Sequence, residues 1–140
     1  MTDVSFTKLV FSYFLTALVF FAIDILWLGV IAKGLYDRYL GALLAEQVNW
    51  TAAIIFYFIF ILGIFIFAIL PAVEKENMQH ALLYGVLFGF FTYATYDFTN
   101  WATLKDWPYQ LVAIDILWGM FLTGSVATSG YYITRWLSKS

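Results

Sequence analysis

Charged residues fall along this chain in clusters. Between the clusters lie four runs of almost unbroken apolar side chains, at about 9–32, 50–73, 81–104 and 107–134. Each run is long enough to cross a bilayer as an α-helix, which takes roughly 20 residues. Strands of a membrane barrel would alternate in hydrophobicity over about ten residues, and these runs do not alternate. The pattern predicts an all-α integral membrane protein, with four transmembrane helices in an antiparallel bundle and one membrane domain over 1–140. The first run is too long for a signal-peptide core and is expected to stay in place. Pro71 is expected to end the second helix and Pro108 to occupy the first turn of the fourth, where a missing N–H costs least. The brief connections 74–80 and 105–106 imply antiparallel neighbours.

The longest connection, 33–49, carries Leu35, Tyr36, Tyr39, Leu40, Leu43 and Leu44 at helical spacing, with Lys33, Asp37, Arg38 and Glu46 elsewhere. That distribution predicts a short amphipathic helix between spans one and two, lying in the interface or capping the bundle. Trp50, Trp101, Trp107, Tyr109, Tyr131, Tyr132 and Trp136 fall near span ends, where aromatic side chains anchor helices at the headgroups. His80 reads as an exposed interfacial residue, and 74–76 as a solvated turn.

Composition sharpens the picture. Of 140 residues, 64% are apolar and 11% charged. Soluble domains carry about twice that charge, so a water-facing surface could not be built from this chain. The net charge of −2 gives nucleic acid no basic footprint. With no cysteine and one histidine, neither thiolate chemistry nor a multi-histidine zinc site is available. No nucleophile-plus-base signature, phosphate loop or dinucleotide fingerprint appears, and nothing points to a particular cofactor. Basic residues slightly favour the side that holds both termini, which predicts termini in the cytoplasm.

Three aspartates interrupt the apolar runs. Asp24 lies nine residues before Lys33, Asp97 eight before Lys105, and Asp115 nine after Asp106. At 1.5 Å per residue, all three carboxylates sit about 12–14 Å below the same charged boundary. Polar side chains facing lipid are costly, so the faces that carry them should turn inward and meet. Gly85, Gly89, Tyr93, Tyr96 and Asn100 share the face of Asp97; Tyr13, Thr16, Phe20 and Trp27 share that of Asp24; Trp118, Ser125 and Ser129 share that of Asp115. Tyr57 on helix two falls at a similar depth. A stripe of Gly119, Thr123, Ala127 and Gly130, with Gly85 and Gly89 opposite, predicts close backbone packing.

The hexapeptide Ala-Ile-Asp-Ile-Leu-Trp occurs twice, at 22–27 and 113–118, in spans that run in opposite directions. An inverted-repeat origin would be compatible with that arrangement. Each copy sets a tryptophan one turn from its aspartate, where the indole N–H can reach the carboxylate.

The run from Tyr93 to Leu104, with Asp24-Ile-Leu-Trp27 before it, Asp115-Ile-Leu-Trp118 after it and the connection from Gly34-Leu-Tyr36 to Asn49-Trp50, resembles a family of small predicted bacterial inner-membrane proteins of unknown function. The resemblance implies a bacterial membrane address and a compact helical fold. It implies no reaction, so no catalytic residue is carried over.

The candidate ligand-binding residues are therefore Asp24, Trp27, Tyr57, Tyr93, Tyr96, Asp97, Asn100, Asp115 and Trp118, with no residue assigned to a metal. Carboxylates gathered in low dielectric and ringed by aromatic faces suit a cation, an amine, protons or a lipid headgroup. A hard metal ion would have to rely on oxygen ligands alone. Four short spans are too few for an enclosed pathway, so transport of such a ligand would call for a homodimer. Two other readings stand beside this one: a membrane-embedded enzyme acting on a lipid or other apolar substrate, and a structural or accessory subunit whose aspartates lock helices together.

Overall fold

The computed structural model describes residues 4–140. Residues 1–3, which fall within the 1–140 domain and include the amino terminus counted for orientation, lie outside them. The described residues are helical, with no strand. Helix α1 spans Phe6–Ile31, α2 spans Leu35–Leu40, α3 spans Trp50–Glu74, α4 spans Met78–Thr103 and α5 spans Tyr109–Ser138. Side-chain oxygens cap three of the long helices. Ser5 accepts from the Lys8 amide at 3.3 Å, Asn49 from Ala52 at 3.1 Å and Asn77 from His80 at 3.3 Å. Pro108 stands just ahead of α5 at its cap position rather than inside the first turn.

Helices α1, α3 and α5 are long and apolar enough to cross a membrane. The run expected at 81–104 is α4, equally long but more polar. Pro71 does not end α3, contrary to expectation; the helix continues to Glu74. A proline ring clashes with the carbonyl four residues back in a regular α-helix. Here the ladder widens into a π turn over Phe65–Ile69 immediately before the proline, which changes the register of the bonds it would break. The end comes at Glu76, left-handed at φ 50°, with the Asn77 amide donating to the Ala72 carbonyl at 3.0 Å.

The expected amphipathic helix exists but is shorter than its apolar pattern. It starts from Gly34, whose φ of 85° needs a glycine, and passes at Gly41–Leu43 into a tighter 3₁₀ turn. The helical phase is lost there, so Leu40 is buried while Leu43 and Leu44 are exposed.

Helix α5 is the centre of the structure. Its buried face receives α4 along one side and α1 and the π turn of α3 along the other. The small-residue stripe makes this possible. A methyl group built on Gly85 would lie 2.6 Å from the Ala127 Cβ and 2.7 Å from the Thr123 carbonyl. One on Gly89 would run into the Thr123 hydroxyl and the Gly119 carbonyl. Thr123 fastens the seam by donating to the Gly85 carbonyl on α4 and to Gly119 on its own helix. The contacts Gly85 to Ala127, Gly89 to Thr123 and Tyr93 to Gly119 march in opposite senses, so α4 and α5 are antiparallel. Phe20, Ile61, Ile64, Ile69, Leu122 and Val126 fill the core, and Phe11, Leu18, Ile59, Phe91, Leu117 and Phe121 face outward. Of the expected interfacial anchors, Trp50, Trp101, Tyr109, Tyr132 and Trp136 are exposed. Tyr131 is not one of them: it is 1% exposed, with its hydroxyl accepting from Arg135 at 2.8 Å, because one turn of α5 continues under the core before the helix ends.

The seam predicts a sharp contrast. Gly89→Ala is expected to destabilise the protein by about 1–3 kcal/mol, the cost of forcing atoms into a packed interior. Gly41→Ala, whose added methyl meets nothing within 4 Å, is expected to leave the thermal midpoint in detergent unchanged.

Candidate functional site

At one end of the bundle, where α3 diverges from α4, the helices enclose a cavity of about 890 Å³. Its polar side chains come from every helix. Asp24 reaches it from α1, Tyr36 from α2, Tyr57 from α3, Tyr93, Tyr96 and Asp97 from α4, and Asp115 from α5. The common depth inferred from spacing thus becomes a common cavity for all three aspartates. Eight of the nine candidate residues line it; Asn100 does not, and stands half-buried one turn beyond Asp97 on α4. Ser125 and Ser129, placed on the face of Asp115 by periodicity, are half-buried and line no part of it.

The three carboxyls differ in how they are held. Asp24 is 8% exposed and accepts a hydrogen bond from the Tyr57 hydroxyl at 3.1 Å. Asp115 is 7% exposed and accepts from the Tyr36 hydroxyl at 2.9 Å. Asp97 has no exposed surface at all, and neither of its oxygens has a hydrogen-bond partner. Its neighbours are Asp115 and Trp107, and Asp115 is the carboxyl that both of the others face. The indole N–H of Trp107 is buried without an acceptor.

The repeated hexapeptides meet here, though not as helical spacing suggests. Neither tryptophan bonds the aspartate of its own copy. The Trp27 indole instead donates to the Tyr36 hydroxyl at 3.1 Å, and that hydroxyl donates onward to Asp115 in the second copy. Trp118, from the second copy, faces Asp24 in the first. The exchange is geometric: the two indoles lie flat on each other across the α1–α5 contact, with centroids 4.3 Å apart and planes 7° from parallel. Stacked in that way, each ring edge is presented to the opposite helix.

Tyr93 fills the floor of the cavity, its ring pressed on Gly119 so closely that a methyl there would overlap it. Tyr96 is 56% exposed at the rim, edge-on to Trp107 at 6.0 Å. Two residues of the site escaped the sequence reading. The apolar spacing puts Tyr36 on a helix that lies in the interface or caps the bundle, and the structure shows the capping arrangement, with Tyr36 and Leu40 in the cavity wall. Burial, and then the neighbouring Asp115 carboxyl, holds its phenol well above the ordinary tyrosine range. Position near a span end marks Trp107 as an interfacial anchor, but it is 7% exposed because the turn around Asp106, at φ 58°, tucks it beneath α4.

Among the described residues no Lys, Arg or His lines the cavity. No three carboxylate or imidazole groups among them converge as a metal ion requires. The arrangement can therefore offer acceptor oxygens and aromatic faces to a positively charged organic group.

Residues 9–132 match the model of a family described as "Predicted membrane protein (DUF2177)". No curated protein and no solved structure matches the chain.

The bridging hydroxyl is open to test. Tyr36→Phe strands a buried indole N–H and a carboxyl oxygen together, and is expected to cost about 1–3 kcal/mol. Tyr39→Phe, which removes a hydroxyl with no hydrogen bond on the same helix, is expected to stay within about 0.5 kcal/mol. Denaturation in detergent followed by circular dichroism compares the two.

Proposed function

The chain belongs to this family of predicted membrane proteins, and from that premise we propose that it crosses the bilayer four times and binds an organic cation at a carboxylate site set below one membrane face. Helix α4 is the fourth span. Its 26 residues reach about 39 Å, enough for the hydrocarbon layer. Much of its polarity is already satisfied within the helix. The hydroxyls of Thr92, Thr95, Thr99 and Thr103 each donate to the carbonyl four residues back, so the exposed Thr95, Thr99 and Thr103 demand nothing from lipid.

The observation that carries the binding role is Asp97. A carboxyl that served only to lock helices together would spend its oxygens on another helix, as Asp24 and Asp115 do on tyrosines. Asp97 is wholly buried, lines the cavity and has no partner for either oxygen. A buried acceptor without a donor costs about 1–3 kcal/mol, more if charged, and a bound ammonium group removes that cost. Asp24 and Asp115 supply further negative character, Trp27, Trp118, Tyr57 and Tyr93 supply aromatic walls, and Tyr96 with Asn100 stands toward the rim. The absence of lining basic residues among those described favours a cation over a phosphate or a carboxylate. Movement of such a ligand across the membrane would take two copies of the chain, with termini on the cytoplasmic side of a bacterial inner membrane.

Thermal denaturation in detergent tests this reading across a panel of alkylamines, divalent metal ions and phospholipids. Saturating amine at a hundredfold over its dissociation constant is expected to stabilise the native protein by about 2.7 kcal/mol, and to leave Asp97→Asn unmoved. Equal responses from the two proteins, or none to any amine, would sink the proposal.

A further inference from the structure

The shape of the cavity narrows the ligand further. Resting on the cation-binding reading, we propose that the ligand is a single-chain lipid amine, a protonated primary ammonium on a long alkyl tail, which enters sideways from the bilayer between α3 and α4.

Three features carry this. First, the cavity wall reaches the outer surface of the bundle between those two helices. Phe56 on α3 is 54% exposed and Phe91 on α4 is 61% exposed, yet both line the cavity, as does the exposed Thr95. Phe88 packs on Phe60 at 5.4 Å and against Gly63, and the cavity with its exposed wall residues lies on the side of that contact toward the aspartates. The gap opens onto the part of the surface that lipid covers, so an apolar tail lies there without meeting water. Second, the walls beside the carboxyls are apolar, formed by Leu28, Leu40, Phe56, Phe60 and Leu111. A small hydrophilic amine would leave that surface unused, whereas an alkyl chain covers it. Third, both oxygens of Asp97 lack donors. A primary ammonium offers three N–H groups, whereas a quaternary ammonium offers none and can satisfy neither oxygen by a hydrogen bond. A phosphate-bearing headgroup brings a second charge of the wrong sign to a cavity whose described lining contains no basic side chain.

Four probes separate the parts of this proposal: dodecylamine, butylamine, dodecyltrimethylammonium and phosphatidylethanolamine. Each is titrated into the full chain in maltoside micelles, with binding read by native mass spectrometry and the Asp97→Asn protein subtracting uptake by the micelle. Dodecylamine is expected to bind in an Asp97-dependent manner, about thirtyfold or more tighter than to the variant, as for loss of one member of a buried charge pair. Butylamine, dodecyltrimethylammonium and phosphatidylethanolamine are each expected to bind at least tenfold more weakly than dodecylamine. Asp97-dependent binding of butylamine equal to that of dodecylamine overturns the lipid tail and leaves the cation site standing. Equal binding of the quaternary probe overturns the primary ammonium, and equal binding of phosphatidylethanolamine, itself a primary ammonium, overturns the single-chain, phosphate-free lipid. Absence of Asp97-dependent binding for every amine overturns the cation site itself. Thr95→Trp gives an arm that spares the buried carboxyl, since the Thr95 hydroxyl bonds only within α4. A ring at the gap is expected to weaken dodecylamine and spare butylamine; if it weakens both equally, or neither, entry between α3 and α4 is wrong.

Discussion

Water is absent from the hydrocarbon layer, so a polar group there must find its partner inside the protein or go without one. That requirement sorts the side chains of this structure into distinct groups. Threonine hydroxyls along α4 turn back to carbonyls of their own helix, at Phe88, Phe91, Thr95 and Thr99. Ser12 and Thr16 do the same on α1. Asp24 and Asp115 look across the bundle to tyrosines. Asp97 and the Trp107 indole end without partners, side by side, in a cavity. The Thr134 hydroxyl and the Arg135 Nε on α5 are also buried without partners, but Asp97 is the one carboxyl among these groups, and it lies in the cavity wall.

Packing determines which carboxyls become neighbours. Gly85 and Gly89 let α4 approach α5 until backbone meets backbone, and the Thr123 hydroxyl pins that approach by donating across to the Gly85 carbonyl. Once this antiparallel register is set, the same spacing carried two turns farther brings Asp97 beside Asp115. Tyr93 lies between, its ring wedged against Gly119, and forms the floor on which both acids rest. The glycine seam and the acid cluster are thus consecutive stretches of a single helix–helix contact.

Much of this was legible in the chain. The lengths of the apolar runs located every long helix to within a few residues, three of them long and apolar enough to cross a membrane. Equal spacing of Asp24, Asp97 and Asp115 from charged boundaries pointed to a shared level, and all three line one cavity. The small-residue stripe announced which faces touch. What stayed hidden was whatever depends on the third dimension between elements. Periodicity could pair Trp27 with Asp24 along one helix, but could not reveal that the two indoles stack and trade aspartates. It placed Tyr36 on a half-apolar helix without saying which way that helix folds. Trp107 and Tyr131 looked like anchors because position near a span end is a statement about depth alone, and burial at that depth depends on neighbours. Pro71 was read as a stop because the widened turn that accommodates it leaves no mark in composition.

The stacked, near-parallel indoles of Trp27 and Trp118 have an optical consequence. Two identical chromophores held 4.3 Å apart and 7° from parallel do not absorb independently. Their transition dipoles mix, and with one ring rotated in its plane against the other the pair contributes a split, oppositely signed band to the ultraviolet circular dichroism that four scattered tryptophans would not. The cavity wall therefore carries its own reporter, without label or engineering, and any event that pries α1 from α5 at this level extinguishes the couplet.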